Sequence, residues 1–279
     1  MPVAPDQARV RSLDEAAAFV GRVGIALLYP NPDLVLPSLW EAVAGRRPVE
    51  WAARDDQGRF LAFTPEFDRV WRWKDELPAR KLACAGQHAA RPVCLFAPEL
   101  AGALYALTAR AGRPEDFREL ELTPLQREVA EAVLELGSSA RPEIRRLLAT
   151  DDKKGVDRAV EALQRHLVLT NAGVDDREPG WPAVKVEIFA RHWRERLERL
   201  PSPEEARQKL ARAVLEAAGE VSDADVAAAL GWRRRQASAA LAALGDVSVA
   251  TAREEDGIRL WSPAAAARCE ADGRTRENA

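Results

Sequence analysis

The segment Trp71-Arg72-Trp73-Lys74-Asp75-Glu76-Leu77-Pro78-Ala79-Arg80-Lys81 is the densest mixture of aromatic, cationic and acidic side chains in the chain. Such parts suit chemistry on a nucleobase. An aromatic face stacks on a base, a lysine amine attacks a sugar carbon or holds a phosphate, and an aspartate activates water or steadies developing positive charge. A pocket for an extruded, damaged base would use Trp71 and Trp73 for stacking and Lys74 and Asp75 for catalysis. The same residues suit a plainer arrangement, with Trp71 and Trp40 as core anchors, Trp73 at a domain interface and Lys74 with Asp75 as an exposed pair.

A second group points to phosphate rather than to a base. Val221 to Gln236 reads as a helix, a tight turn and a second helix opening on Arg233, Arg234 and Arg235. Ser222 can cap the first helix, Asp223 and Asp225 sit where the positive end of the dipole favours carboxylates, and Gly231 supplies the left-handed stop. Ala237, Leu241 and Leu244 recur at i, i+4 and i+7, which leaves Arg234, Arg235, Ser238 and Ala242 outward. A cationic, small-residue helix face suits a DNA major groove, and the competing reading is a solvated arginine run.

The elements around that turn give it a frame. Ser202-Pro203-Glu204-Glu205 starts a helix running to about Ala218-Gly219, and Val247 to Thr251 and Ile258 to Trp261 flank the acidic Glu254-Glu255-Asp256-Gly257 turn. Three helices followed by a hairpin are the parts of a winged helix. The middle segment repeats the order: Thr123-Pro124 opens a helix with Leu125, Val129, Val133 and Leu136 on its apolar stripe, and Pro142 to Leu148 makes a second. A third, capped at Thr150-Asp151-Asp152, turns Val156, Val160, Leu163 and Leu167 inward and Lys153, Lys154, Arg158 and Arg165 outward. Strands Val168 to Asn171 and Ala183 to Val186 would form its wing around an acidic loop, Asp175 to Gly180. The helix near Phe189 to Arg194 links the two modules.

The N-terminal segment breaks the pattern and reads as mixed α and β. Helices start at the caps Ser12, Pro37-Ser38 and Thr64-Pro65, Ile25 to Tyr29 is a short strand or turn, and Val93 to Phe96 is the best strand. Pro98 opens a helix through Ala111, and Gly112-Arg113-Pro114 with Glu115-Asp116 looks like a linker. The expected fold is mainly α with small β-hairpins (α+β), tandem winged-helix modules behind a mixed α/β N-terminal domain. Its divisions are 1–120, 121–193, 194–263 and a flexible tail, 264–279.

Composition limits the alternatives. At 279 residues and 47% hydrophobic the chain can bury a sizeable core. A formal charge of −3 confines any contact with DNA to local patches. No run is long enough to span a membrane and Met1 to Asp6 lacks a signal pattern, so a cytoplasmic protein is expected. Cys84, Cys94 and Cys269 suit free thiols, and His88, His166 and His192 are too scattered for a metal. There is no Walker loop, dinucleotide fingerprint or nucleophile elbow, so neither cofactor nor metal is expected.

Three phrases, Phe19-Val20-Gly21-Arg22-Val23-Gly24, Leu36-Pro37-Ser38-Leu39-Trp40-Glu41-Ala42-Val43 and Trp73-Lys74-Asp75-Glu76-Leu77-Pro78, resemble the AlkZ-related proteins of bacteria over nearly the whole chain. The resemblance implies several winged helices around a cleft, double-stranded DNA as the partner, and a distant relationship to glycosylases that remove alkylated or crosslinked bases. Those glycosylases use two glutamines, or a glutamine and an aspartate, flanking an apolar residue. Here the double-glutamine form is absent: Gln7, Gln57, Gln87, Gln126, Gln164, Gln208 and Gln236 stand apart, so the architecture carries over and no catalytic residue does.

The first expectation is therefore a DNA-binding protein holding duplex through Lys153, Lys154, Arg158, Arg233, Arg234, Arg235 and Ser238, with glycosylase-like chemistry if it is an enzyme. The alternative is a winged-helix transcription regulator whose N-terminal segment senses a ligand or mediates assembly. A third reading makes both modules protein-interaction surfaces, because fold does not fix function.

Overall fold

The computed structural model describes residues 9–89, 92–175 and 183–264. It is an α+β structure in which one order of elements occurs three times. The first unit opens with α1 (Leu13–Val23), where Ser12 accepts from the Glu15 amide and the Glu15 carboxylate turns back to the backbone of Ser12. β1 (Ile25–Leu27) and α2 (Leu39–Ala44) follow, α2 held by the same box between Ser38 and Glu41. A hairpin, β2 (Ala52–Arg54) with β3 (Phe60–Phe63), comes before α3 (Pro65–Ala79), which is capped by Thr64. β4 (Cys84–Gly86) and β5 (Cys94–Phe96) complete an antiparallel sheet ordered β1-β5-β4.

The connection to the second unit differs from the sequence expectation. The helix after Pro98 does not reach Ala111: a 3-10 turn leads into α4 (Ala101–Ala106), and Ala109 adopts a left-handed φ of 58°. Glu115 is exposed, as a linker residue would be, but Asp116 is not. Asp116 is buried, and its Oδ2 accepts from the amides of Gly112 (2.8 Å) and Arg113 (3.1 Å) and from the Tyr105 hydroxyl (3.3 Å). A carboxylate met by three donors is tied down.

The second unit runs α5 (Pro124–Leu136), β6 (Ser139–Ala140), α6 (Arg141–Leu147), α7 (Lys153–Arg165), β7 (Leu169–Asp175) and β8 (Ala183–Ile188), with sheet order β6-β8-β7. Val156, Val160, Leu163 and Leu167 are buried as their spacing requires. Leu136 is exposed instead of completing the α5 stripe, because the helix ends there and Gly137 turns the chain away. Of the acidic loop between β7 and β8, Asp176 to Gly180 lie outside the described residues. Two short helices, α8 (Phe189–His192) and α9 (Arg194–Leu197), lead onward.

The third unit is α10 (Pro203–Ala218), β9 (Val221–Ser222), α11 (Asp223–Leu230), α12 (Arg234–Asp246), β10 (Ala250–Glu255) and β11 (Ile258–Pro263), with sheet order β10-β11-β9. Its hairpin starts at Ala250, not Val247, since Val247 and Ser248 still bond back to Ala243 and Gly245 as the helix closes. The turn is the two residues Asp256-Gly257, both at positive φ (51° and 74°), so Glu254 and Glu255 belong to the strand. The tail from Ala265 lies outside the described residues.

All three units thus run helix, strand, helix, helix, strand, strand, with the last strand in the middle of the sheet. The N-terminal segment, legible from sequence only as mixed α and β, follows this order with the β2–β3 hairpin inserted before its third helix. One hydrophobic cluster extends from Ile25 through Phe189 to Trp261 and unites the units. The first sheet separates it from a second cluster containing Trp40, Trp73 and Leu77. Strand alternation sends Ile25, Leu27, Cys94 and Phe96 into the first cluster and Ala26, Leu28 and Leu95 into the second. Among the described residues no helix is long and apolar enough to cross a membrane.

Candidate functional site

α3 carries the first candidate group. Lys74 Nζ lies 2.5 Å from Asp75 Oδ2 with the two side chains only 14% and 12% exposed, so the pair is not the solvated one that adjacency alone suggests. The ammonium also sits 4.3 Å from the centre of the Trp71 ring, one helical turn earlier. Burial raises the Asp75 pKa above the usual carboxylate range against the lowering pull of Lys74. Tyr29 completes the surroundings: its hydroxyl is buried with no hydrogen-bond partner among the described residues, and burial together with the Asp75 charge holds its proton on.

This group has the makings of a proton-transfer site. A desolvated carboxyl is a stronger base than one in water, and nucleophilic use of Lys74 requires an unprotonated amine, for which Asp75 is the base within reach. Trp73 does not belong to it. Its ring is 5% exposed and packs in the cluster with Trp40, while Trp71 is half-buried, stacked on Phe67 at 5.8 Å and 19°. Arg80 and Lys81 are exposed beyond the end of α3.

The cations expected to meet phosphate fall into two patches. Lys153, Lys154 and Arg158 are exposed along the first turns of α7, behind the Asp152 cap. Arg233, Arg234, Arg235 and Ser238 are exposed at the start of α12. Arg234 is already engaged, its Nε 3.0 Å from Asp223 Oδ1. The loop at Gln87 to Ala89 touches the far end of α7 and the turn before α12. The Gln87 amide donates to Gln164 Oε1 (3.2 Å), Arg165 donates to Gln87 Oε1 (3.0 Å), and a Cβ on Gly231 would come within 2.9 Å of the Ala89 carbonyl oxygen. Lys154 is ten residues before Gln164, about 15 Å along the helix. Arg165 therefore stands at the end of α7 that this loop joins to the α12 turn, away from Lys153.

The histidines serve the interior more than the surface. His88 and His192 are held down to a pKa of about 4, in each case chiefly by burial, and bond to the carbonyls of Gln164 and Pro78. His166 is exposed at the end of α7, its pKa lowered by partial desolvation and by Arg110 and Arg165. Among the described residues no three His, Cys, Asp or Glu side chains are grouped to hold a metal.

Sequence reasoning passed over one group entirely. The β2–β3 hairpin exposes Trp51 (45%), Phe60 (49%) and Leu61 (62%), and its rings continue through Phe63 and Phe67 to Trp71. The apolar residues on either side of Asp55-Asp56-Gln57-Gly58-Arg59 were the available signal.

Comparison with known proteins bears on the entire assembly. A family model described as AlkZ related matches residues 10–231. Among solved structures, the DNA glycosylase AlkZ of Streptomyces sahachiroi superposes with a TM-score of 0.55 at 16% identity, covering 96% of this chain and 68% of that one. At that identity the likeness is one of fold. No curated protein matches the sequence.

Proposed function

The chain belongs to the AlkZ-related family, and on that footing we propose that it is a DNA-binding protein of winged-helix units that acts in the repair of alkylated or crosslinked DNA. The divisions are 1–120, 121–193 and 194–263. The observation that carries this reading is positional: in two units of identical topology a cluster of exposed cations stands at the N-terminal end of the third helix, Lys153, Lys154 and Arg158 on α7 and Arg233, Arg234 and Arg235 on α12. That end of a reading helix is the one that meets DNA in helix-turn-helix proteins. Ser238, one turn further on, adds a neutral donor.

Glycosylase-like chemistry falls to the first unit. There a water oxygen bonds to the sugar C1′ as the C1′–N bond breaks, the bond pair leaves with the base, and Asp75 takes the proton from the water. Lys74 holds that carboxylate and Trp71 borders it. The fold likeness to a DNA glycosylase supports this choice of reaction over other DNA chemistry.

Binding and catalysis are tested separately. Titrating a labelled duplex at increasing salt should give affinity that falls steeply, with a shallower slope after Arg233, Arg234 and Arg235 are changed together to Ala. An unchanged slope overturns the assignment of the DNA face. Duplexes carrying alkylated or crosslinked bases should acquire abasic sites with the native chain and not with Asp75→Asn; no product from a broad lesion panel would sink the enzymatic part.

A further inference from the structure

The β2–β3 hairpin is anchored with more care than a surface loop needs. Asp55 accepts from the amides of Gln57 (3.0 Å) and Arg59 (2.9 Å) and from Arg59 Nε (2.7 Å), which ties the tip. At the base, Thr64 Oγ1 donates to the Glu50 carbonyl (2.6 Å) and the Thr64 amide to that of Trp51 (3.2 Å), so the residue that caps α3 also holds the hairpin. On this rigid support Trp51 and Phe60 stack at 6.0 Å and 21°, and the Arg54 guanidinium lies 5.2 Å from the centre of the Trp51 ring.

Two relationships say what such a surface is for. From Phe60 the rings step inward, Phe60 to Phe63 (5.3 Å), Phe63 to Phe67 (5.4 Å) and Phe67 to Trp71 (5.8 Å), ending beside the Lys74–Asp75 pair. The hairpin also occupies the N-terminal end of the third helix of its unit, the end at which the other two units carry Lys153-Lys154 and Arg233 to Arg235. Where those units offer charge to phosphates, this one offers π-faces and the Arg54 guanidinium, its other hairpin arginine, Arg59, being paired with Asp55. Every nucleobase has a π-face, and a base becomes available to stack only where the duplex is opened.

We propose that Trp51 and Phe60, with Arg54, form a stacking platform for unpaired nucleobases at a bulge or lesion, and that the aromatic series leads from this platform toward Lys74 and Asp75. The proposal rests on the DNA-binding reading, and it adds that the protein recognises opened duplex. The apolar face of the hairpin is then an exposed feature kept for contact with bases, and its burial against a second copy of the chain is the competing use.

The experiment compares an intact duplex with the same duplex bearing a three-nucleotide bulge that contains 2-aminopurine. The native chain should bind the bulged duplex more tightly and quench the 2-aminopurine fluorescence. Trp51→Ala and Phe60→Ala, checked for folding by circular dichroism, should lose about five- to 150-fold on the bulged duplex, the range for one stacked aromatic, and keep their affinity for the intact one. Trp51→Phe should restore most of the preference. Equal binding of both duplexes by the native chain, or an undiminished preference in the alanine variants, overturns the platform while the DNA reading stands. Failure to bind either duplex overturns both. A native dimer that Trp51→Ala converts to a monomer in sedimentation, with the bulge preference intact, assigns the patch to self-association and also overturns the platform.

Discussion

His88 Nε2 stands 3.2 Å from Thr170 Oγ1, which joins the β4–β5 loop of the first unit to β7 of the second. The same hydroxyl lies 3.1 Å from the Ala85 carbonyl, and His88 Nδ1–H donates to the Gln164 carbonyl at 3.1 Å. Phe189 meets the ring edge to face at 5.4 Å. Carbonyl and hydroxyl neighbours satisfy a neutral imidazole but do not offset the loss of water from a charged one, which is why burial dominates its pKa of about 4.

Stability at acid pH follows from that ring. In the unfolded chain the imidazole titrates near 6.5, in the folded one near 4. Between those values the unfolded state holds more protons, so stability present at pH 7 declines as pH falls through about 6.5 and is fully lost near 4; the term from His88 alone reaches about 3 kcal/mol. His192, also held to about 4, acts in the same direction. Thermal melts should show a falling midpoint from pH 7 to pH 5, with a flatter profile in His88→Gln. A variant whose midpoint follows the native pH dependence would remove His88 as its source.

What could be read from the sequence was what is decided locally. Ser222 with Asp225, Ser202 with Glu205 and Thr123 with Gln126 are reciprocal caps written within four residues, and each helix starts where its cap predicts. β1 and β4 are three-residue strands buried on both faces, and they lack the alternation that marks a strand with one wet face. The β2–β3 hairpin keeps large apolar residues exposed, so hydrophobic pattern alone did not announce it. At the candidate sites, the adjacency of Lys74 and Asp75 was legible and their burial was not. The Asp223 partner of Arg234 lies 11 residues away across the turn, beyond any i,i+4 rule.

Gly231 is constrained twice. Its φ of 67° lies in the left-handed region, and an added Cβ would stand 2.9 Å from the Ala89 carbonyl oxygen. Gly231→Ala should therefore cost at least the roughly 1–2 kcal/mol of a left-handed L-residue, with the contact adding to it. The Gln87 to Ala89 loop should loosen as well. Urea unfolding measures the first effect and amide exchange in that loop the second; an alanine variant as stable and as protected as the native chain would mean that the turn and loop do not depend on each other.

Asp223 holds the arginine that the proposed DNA contact would use, Arg234. Their 3.0 Å pair is exposed on the arginine side, so a phosphate approaching α12 must compete with a carboxylate already in place. Asp223→Asn keeps the size of the side chain and removes the competing charge, at a cost to α11 of a few tenths of a kcal/mol from the lost dipole interaction. Duplex affinity at low salt should rise about two- to fivefold, the worth of a surface ion pair. If the gain comes through Arg234, it should vanish when Arg234→Ala is added, and the double-mutant cycle isolates that coupling from a general change in surface charge. Weaker binding by Asp223→Asn would give the carboxylate the opposite role, holding Arg234 in the orientation that contacts phosphate.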